Sequence, residues 1–185
     1  MAQETVTAYP RTSWWHRKVV KEADHDLLRM GERIGNIIAM FFIVLVVLIF
    51  INIQIQGQGF FTASFGPLEQ LLFYGSLLFG VIPSFIRAAT GGRNLGRLVD
   101  LFGSVVFIVA ASYLLVTFPF DFASLLSLLP FTVSMDASWL NGLFRLLFEL
   151  SIAITAISLA YNTVLYISVR KELRARRAGV AATAP

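Results

Sequence analysis

Four long apolar runs constrain this chain more than any other feature. They cover roughly 34–53, 68–86, 101–118 and 143–169. An α-helix needs ~20 apolar residues to cross a hydrocarbon core about 30 Å thick, and each run is near or above that length. In lipid every backbone N–H and C=O must find a partner inside its own segment, which makes runs of this kind helices. The expected fold is all-α and integral to a membrane, with four transmembrane helices in two hairpins.

Composition agrees. The 185 residues are 57% hydrophobic and have a mean hydropathy of +0.73. Soluble domains run to about 45–50% apolar. The length suits one small bundle and leaves little for a separate soluble domain. The expected organisation is a tail with an amphipathic helix over 1–33, a four-span bundle over 34–170 and a basic tail over 171–185. The first apolar run starts too late and runs too long for a signal-peptide core, so insertion through an uncleaved first helix is expected. With no cysteine, disulfides, thiolate nucleophiles and thiolate-bound metals are excluded.

The basic residues give orientation. Arg11, Arg17, Lys18, Lys21, Arg29 and Arg33 precede the first run. Arg87, Arg93 and Arg97 lie between the second and third. Arg170, Lys171, Arg174, Arg176 and Arg177 follow the fourth. The stretches 54–67 and 119–142 hold neither Lys nor Arg, and only Arg145 departs from the pattern. Under the positive-inside rule both termini and the middle loop are cytoplasmic, and a plasma (inner) membrane is the expected location. The net charge of +4 points to anionic lipid as a partner. It does not point to nucleic acid, because the charges flank apolar spans.

Trp15, Val19, Ala23, Leu27, Met30 and Ile34 recur at spacings of three and four, which predicts one helix over 14–33 with a single apolar stripe. Trp14 and Trp15 suit the headgroup level, so an interfacial helix on the cytoplasmic leaflet is expected. The alternative is that the stripe packs on a partner or on the protein's own loops. Gly31 and Gly35 make a small-xxx-small pair where another helix could approach. Residues 51–56 alternate apolar and polar, and a helix end is the preferred reading over a strand. Gly66-Pro67 opens the second span, with Glu69 in its first turn. Pro83 predicts a kink or an end there. The glycine-rich basic segment 87–97 lacks a phosphate-loop pattern and reads as a turn, with Arg93 and Arg97, like Trp14 and Trp15, as lipid-headgroup candidates. Asp121 to Pro130 reads as a short outer-face helix, capped by Asp121.

The fourth run carries most of the intramembrane polarity. At about 100° per residue, Ser151, Thr155, Ser158 and Asn162 share one stripe. Arg145, Glu149, Ala153, Ala156 and Ala160 fall on the other side. Hydroxyls and amides seek partners in hydrocarbon, and small residues admit a second backbone, so this helix is expected to pack on both sides. Arg145 and Glu149, four apart, are expected to pair with each other or with Glu69. They are either a structural pair or part of a path for an ion or substrate. Asp100 is expected beside Arg97. The single Arg145 is too few for a voltage sensor. Glu22 and His25 have an E-x-x-H spacing, but a di-iron bundle needs two such copies. No catalytic, cofactor or metal site is expected, and the chain does not read as an enzyme.

In layout, with cytoplasmic termini, four spans and an acidic residue (Glu69) opening the second, the chain resembles the small membrane subunits of tripartite carboxylate transporters. It has Pro67-Leu-Glu69-Gln where that family has a Trp-Glu-Glu-like sequence. Two functions are consistent with these observations. One is a non-catalytic accessory or assembly subunit of a membrane complex. The other is a small transporter or channel acting as a homo-oligomer, its path lying between protomers.

Overall fold

The computed structural model describes residues 13–124 and 138–183. It is all-helical there, with six helices: α1 (Trp14–Asp24), α2 (Met30–Gln56), α3 (Pro67–Phe79), α4 (Val81–Thr90), α5 (Arg93–Thr117) and α6 (Ser138–Thr183). Four helical stretches are long and apolar enough to cross a membrane: Met30–Gln56, Pro67–Thr90, Arg93–Thr117 and Trp139–Arg176.

The helix ends follow from local chemistry. Glu32 Oε2 accepts from the Arg29 N–H at 3.0 Å, closing the first turn of α2. Gly57, at φ +62°, ends that helix in the left-handed region that glycine tolerates. The alternating residues 51–56 are thus helical, as preferred. Pro67 opens α3, and Glu69 Oε2 accepts from Gly66 N–H at 3.0 Å. The second span is then interrupted at Gly80, three residues before Pro83. Proline has no N–H for the carbonyl four residues earlier, here that of Phe79. The turn also tightens just before it, the Gly80 N–H bonding back three residues to Leu77 O at 3.1 Å.

The single helix expected over 14–33 is two helices with an extended break. Backbone bonds explain it. Leu28 N–H donates to Gly91 O at 2.7 Å, and Arg93 N–H to Asp26 O at 2.8 Å. The Asp26 side chain also accepts from Asn94 N–H at 2.9 Å, which caps α5. The break therefore supplies the start of another helix. As a result Leu27 and Met30, expected on the apolar stripe, are 78% and 72% exposed. The remaining stripe faces protein: Val19 and Ala23 bury against Leu165 and Val169 of α6, and Trp15 meets Tyr161 edge-on at 6.1 Å. The stripe thus lies on the protein's own helix α6, a surface that neither reading of it named.

The spans stand in chain order. α2 packs on α3 and α4, these on α5, and α5 on α6. The backbone of α2 approaches neither α5 nor α6, and that of α6 approaches neither α3 nor α4. Two glycines of α5 admit close neighbours. A Cβ at Gly96 would sit 2.5 Å from Arg87 Cγ, and one at Gly103 3.1 Å from the Phe79 ring. Gly31 and Gly35 meet nothing within 4 Å, so the close approach expected there belongs to α5 instead.

One end of the bundle is tied by ions. Arg97 pairs with Glu22, Arg93 with Glu32 and Arg87 with Asp100, while Arg176 reaches Asp24 at 2.6 Å and Glu172 at 2.9 Å. We refer to it as the basic end. The opposite end is closed by phenylalanines. Phe60, Phe65, Phe118, Phe120 and Phe122 are buried together, with Phe73 and Phe144 against them. Phe122 stacks on Phe144 at 3.7 Å. Two backbone bonds join the loops beneath: Thr62 N–H to Pro119 O at 3.1 Å and Asp121 N–H to Phe60 O at 2.7 Å. Phe118 ends α5 at φ +35°, a strained value for a side-chain-bearing residue. The short helix expected over Asp121 to Pro130 lies mostly outside the described residues. Its first residues form a tight turn in which Asp121 Oδ1 accepts from Ala123 N–H at 3.1 Å and from Asn141 Nδ2 at 2.9 Å.

Candidate functional site

Because α6 stands off from α3 and α4, a groove opens between them with α5 as its floor. Its volume is about 470 Å³. Helix α4 contributes Ser84 and Arg87, α5 contributes Asp100 and Ser104, and α6 contributes Thr155 and Asn162. Ser76, Phe79, Pro83 and Phe107 complete most of the remaining wall. The interruption of the second span at Gly80 borders the same groove.

Each polar group is there for a local reason. Asp100 lies seven residues into α5 and bonds Arg87 across the α4–α5 turn. The absence of a side chain at Gly96 leaves room for the Arg87 stem. Asp100 is therefore paired with Arg87, and Arg97, its expected neighbour, turns to Glu22. Ser104 Oγ donates to Asp100 O at 2.9 Å, and Ser76 Oγ to Phe73 O at 3.0 Å. These hydroxyls satisfy themselves on their own helices. Thr155 and Asn162 differ: neither side chain has a hydrogen-bond partner among the described residues. They face the groove with their hydrogen-bonding capacity unused.

The other residues singled out from the sequence are spread along α6. Ser151 is exposed and donates to Leu147 O at 2.7 Å; Ser158 is half-buried. The stripe is therefore split, two of its four members lining the groove. Arg145 places its guanidinium 4.5 Å from the Phe118 ring centre, a cation–π contact. It makes no ion pair with Glu149 or Glu69 among the described residues. The expected pairing is replaced because Glu69 is already engaged: Tyr113 OH donates to its Oε1 at 3.0 Å and Gly66 N–H to its Oε2. Glu149 is exposed, as are Arg145, Ala153, Ala156 and Ala160. Beyond the Phe118 contact at Arg145, that face of α6 stays exposed among the described residues.

At the basic end, Arg93 and Arg97 are held by carboxylates, and Trp15 by Tyr161. Trp14 is 64% exposed. Glu22 serves Arg97, and His25 Nδ1 lies 2.9 Å from Lys21 O, so the E-x-x-H pair is divided between two structural contacts. The groove itself was not legible beforehand. Its polar members come from four segments, and only Thr155 and Asn162 stand out in the sequence as intramembrane polar candidates, Arg87 and Asp100 reading there as charges of the basic end. Compared with protein-family models, with curated proteins and with solved structures, the chain matches none.

Proposed function

We propose that this protein is a non-catalytic accessory or assembly subunit of a membrane complex, and that a transmembrane segment of a partner subunit closes the groove. The observation that carries the reading is the pair Thr155 and Asn162, polar side chains within a candidate span that find no partner among the described residues of their own chain. Polar groups in hydrocarbon are costly unless matched across helices. The uncovered face with Glu149 and three alanines supports the same reading.

The arrangement in the bilayer belongs to this proposal. The spans form two hairpins, and the basic end faces the cytoplasm of a plasma (inner) membrane, with anionic lipid around it. α1 lies at that interface, its exposed Trp14 toward the headgroups and its stripe on α6. Reporter fusions at Gly59 and Asn94 are expected to read external and internal respectively; the reverse would overturn this orientation.

The lack of cysteine makes the docking reading directly testable. Single substitutions Thr155→Cys and Asn162→Cys should crosslink to a co-purifying membrane protein in mild detergent. Ile49→Cys on the exposed face of α2 should not. Capture of nothing by the two groove positions in native membranes would overturn the reading.

A second function is supported by the interrupted second span. Broken helices expose backbone carbonyls near substrate and ion sites in transporters. Here the disturbance at Gly80 is mild, its backbone staying right-handed helical, but it borders a polar groove and leaves the Phe79 carbonyl without the proline's N–H. In this reading the chain is a small transporter or channel working as a homo-oligomer. It fits the likeness in layout to small transporter subunits. Crosslinking of Asn162→Cys to a second copy of the chain, in place of another protein, would favour it.

A further inference from the structure

A separate pocket of about 430 Å³ lies at the basic end, between the start of α5 and the later turns of α6. Among its lining residues are Asp26, Asn94, Leu95, Leu98, Arg170 and Arg174. Three features together bear on what it holds. First, four arginines of the basic end, Arg87, Arg93, Arg97 and Arg176, are matched by carboxylates. Arg170 and Arg174 are not, among the described residues; Arg170 bonds only Tyr166 OH, at 3.1 Å. Second, Asn94 is 8% exposed, yet its Oδ1 has no hydrogen-bond partner among the described residues. A buried amide left unmatched costs stability unless something else reaches it. Third, the pocket is two-sided in chemistry, with two unmatched guanidiniums, one carboxylate at Asp26 and leucines beside them.

We propose that this pocket binds a phosphoester carrying a neighbouring amine, the chemistry of phosphoethanolamine. The phosphate sits on Arg170 and Arg174, which suit phosphate as charge-assisted donors. The ammonium points toward Asp26, and the Asn94 amide completes the site from the floor. Leu95 and Leu98 offer an apolar strip on which acyl chains can lie, so a phosphatidylethanolamine headgroup and a soluble phosphoester are both sources of this chemistry. The inference does not depend on what closes the groove.

The test uses the full chain in nanodiscs of phosphatidylcholine with equal small fractions of phosphatidylethanolamine and phosphatidylglycerol. Lipid kept through mild detergent extraction is identified by mass spectrometry. Wild type is expected to retain phosphatidylethanolamine about tenfold over phosphatidylcholine, whose trimethylated amine cannot donate to a carboxylate, the scale of one charge-assisted hydrogen bond. Arg170→Gln with Arg174→Gln should remove retention of all three lipids. Both side chains are exposed on α6, so the fold should survive, with an unchanged gel-filtration profile as the control. Asp26→Asn keeps the oxygen that caps α5 and should abolish only the preference for the ethanolamine lipid. In a parallel arm, soluble phosphoethanolamine is added to protein in detergent. A rise in melting temperature that the double Arg variant lacks, without lipid retention, assigns the site to a free phosphoester. Equal retention of phosphatidylglycerol and phosphatidylethanolamine by wild type overturns the amine assignment. Retention unchanged in the double Arg variant, or no preferred lipid and no melting shift, overturns the site.

Discussion

Replacing Phe60 with alanine is expected to lower stability in detergent by about 3–5 kcal/mol, the range for emptying a buried Phe site. Phe60 is 1% exposed. Its ring lies 5.5 Å from Phe50, 5.6 Å from Phe120 and 5.1 Å from Phe122. It therefore joins the first loop, α2 and the segment after α5. Lipid tails compete well for apolar surface, so the stabilisation comes from close ring packing rather than from escape from water. Removing one ring leaves a cavity that its neighbours cannot close without breaking the backbone bonds at Phe60 O and Pro119 O. Thermal unfolding in detergent measures it. Phe41→Ala, an exposed phenylalanine on α2, serves as the comparison and should cost far less. Equal costs would mean that the phenylalanine cap does not hold the loops.

Asp100→Ala is expected to cost about 1–3 kcal/mol, because it strands the Arg87 guanidinium inside the bundle. The side chains of Arg87 and Asp100 are only 25% and 35% exposed, and both line the groove. Removing both charges should be milder than removing one. The double variant Arg87→Met with Asp100→Leu keeps the stem over Gly96 and leaves no unmatched charge. Its melting temperature should lie above that of Asp100→Ala. The opposite order would show that the ion pair stabilises the bundle by more than its desolvation costs.

The spans themselves were plain in the sequence, since twenty apolar residues have few alternatives in a membrane. The Gly66-Pro67 opening and the Glu69 cap were equally local and equally legible. What was hidden depended on contacts between segments distant in sequence. The 14–33 pattern looks helical throughout, yet residues 25–29 gain more by bonding Gly91 and Arg93 than by continuing the helix. Asp100 has Arg97 one turn away on its own helix, but only the fold reveals that Glu22 takes Arg97 and leaves Arg87 for Asp100. Arg145 and Glu149 have the spacing of a pair, yet the Arg145 guanidinium lies over the Phe118 ring. The phenylalanine cap did have a signal: Phe60, Phe61 and Phe65 in one loop, and Phe118, Phe120 and Phe122 in the other. Phenylalanines in loops, where polar residues are the rule, mark a packed lid.

The chain-ordered row of helices has a consequence for biogenesis. Each span leans on the one synthesised just before it, so packing can proceed during insertion and no span waits for a distant partner. The helix α1 is the exception. Its apolar stripe fits Leu165 and Val169, and Arg176 reaches back to Asp24 across 152 positions. Until α6 is complete, Val19 and Ala23 lack the described residues that bury them. The segment that precedes every span is thus the last to settle, and its docking reports that the whole bundle is in place.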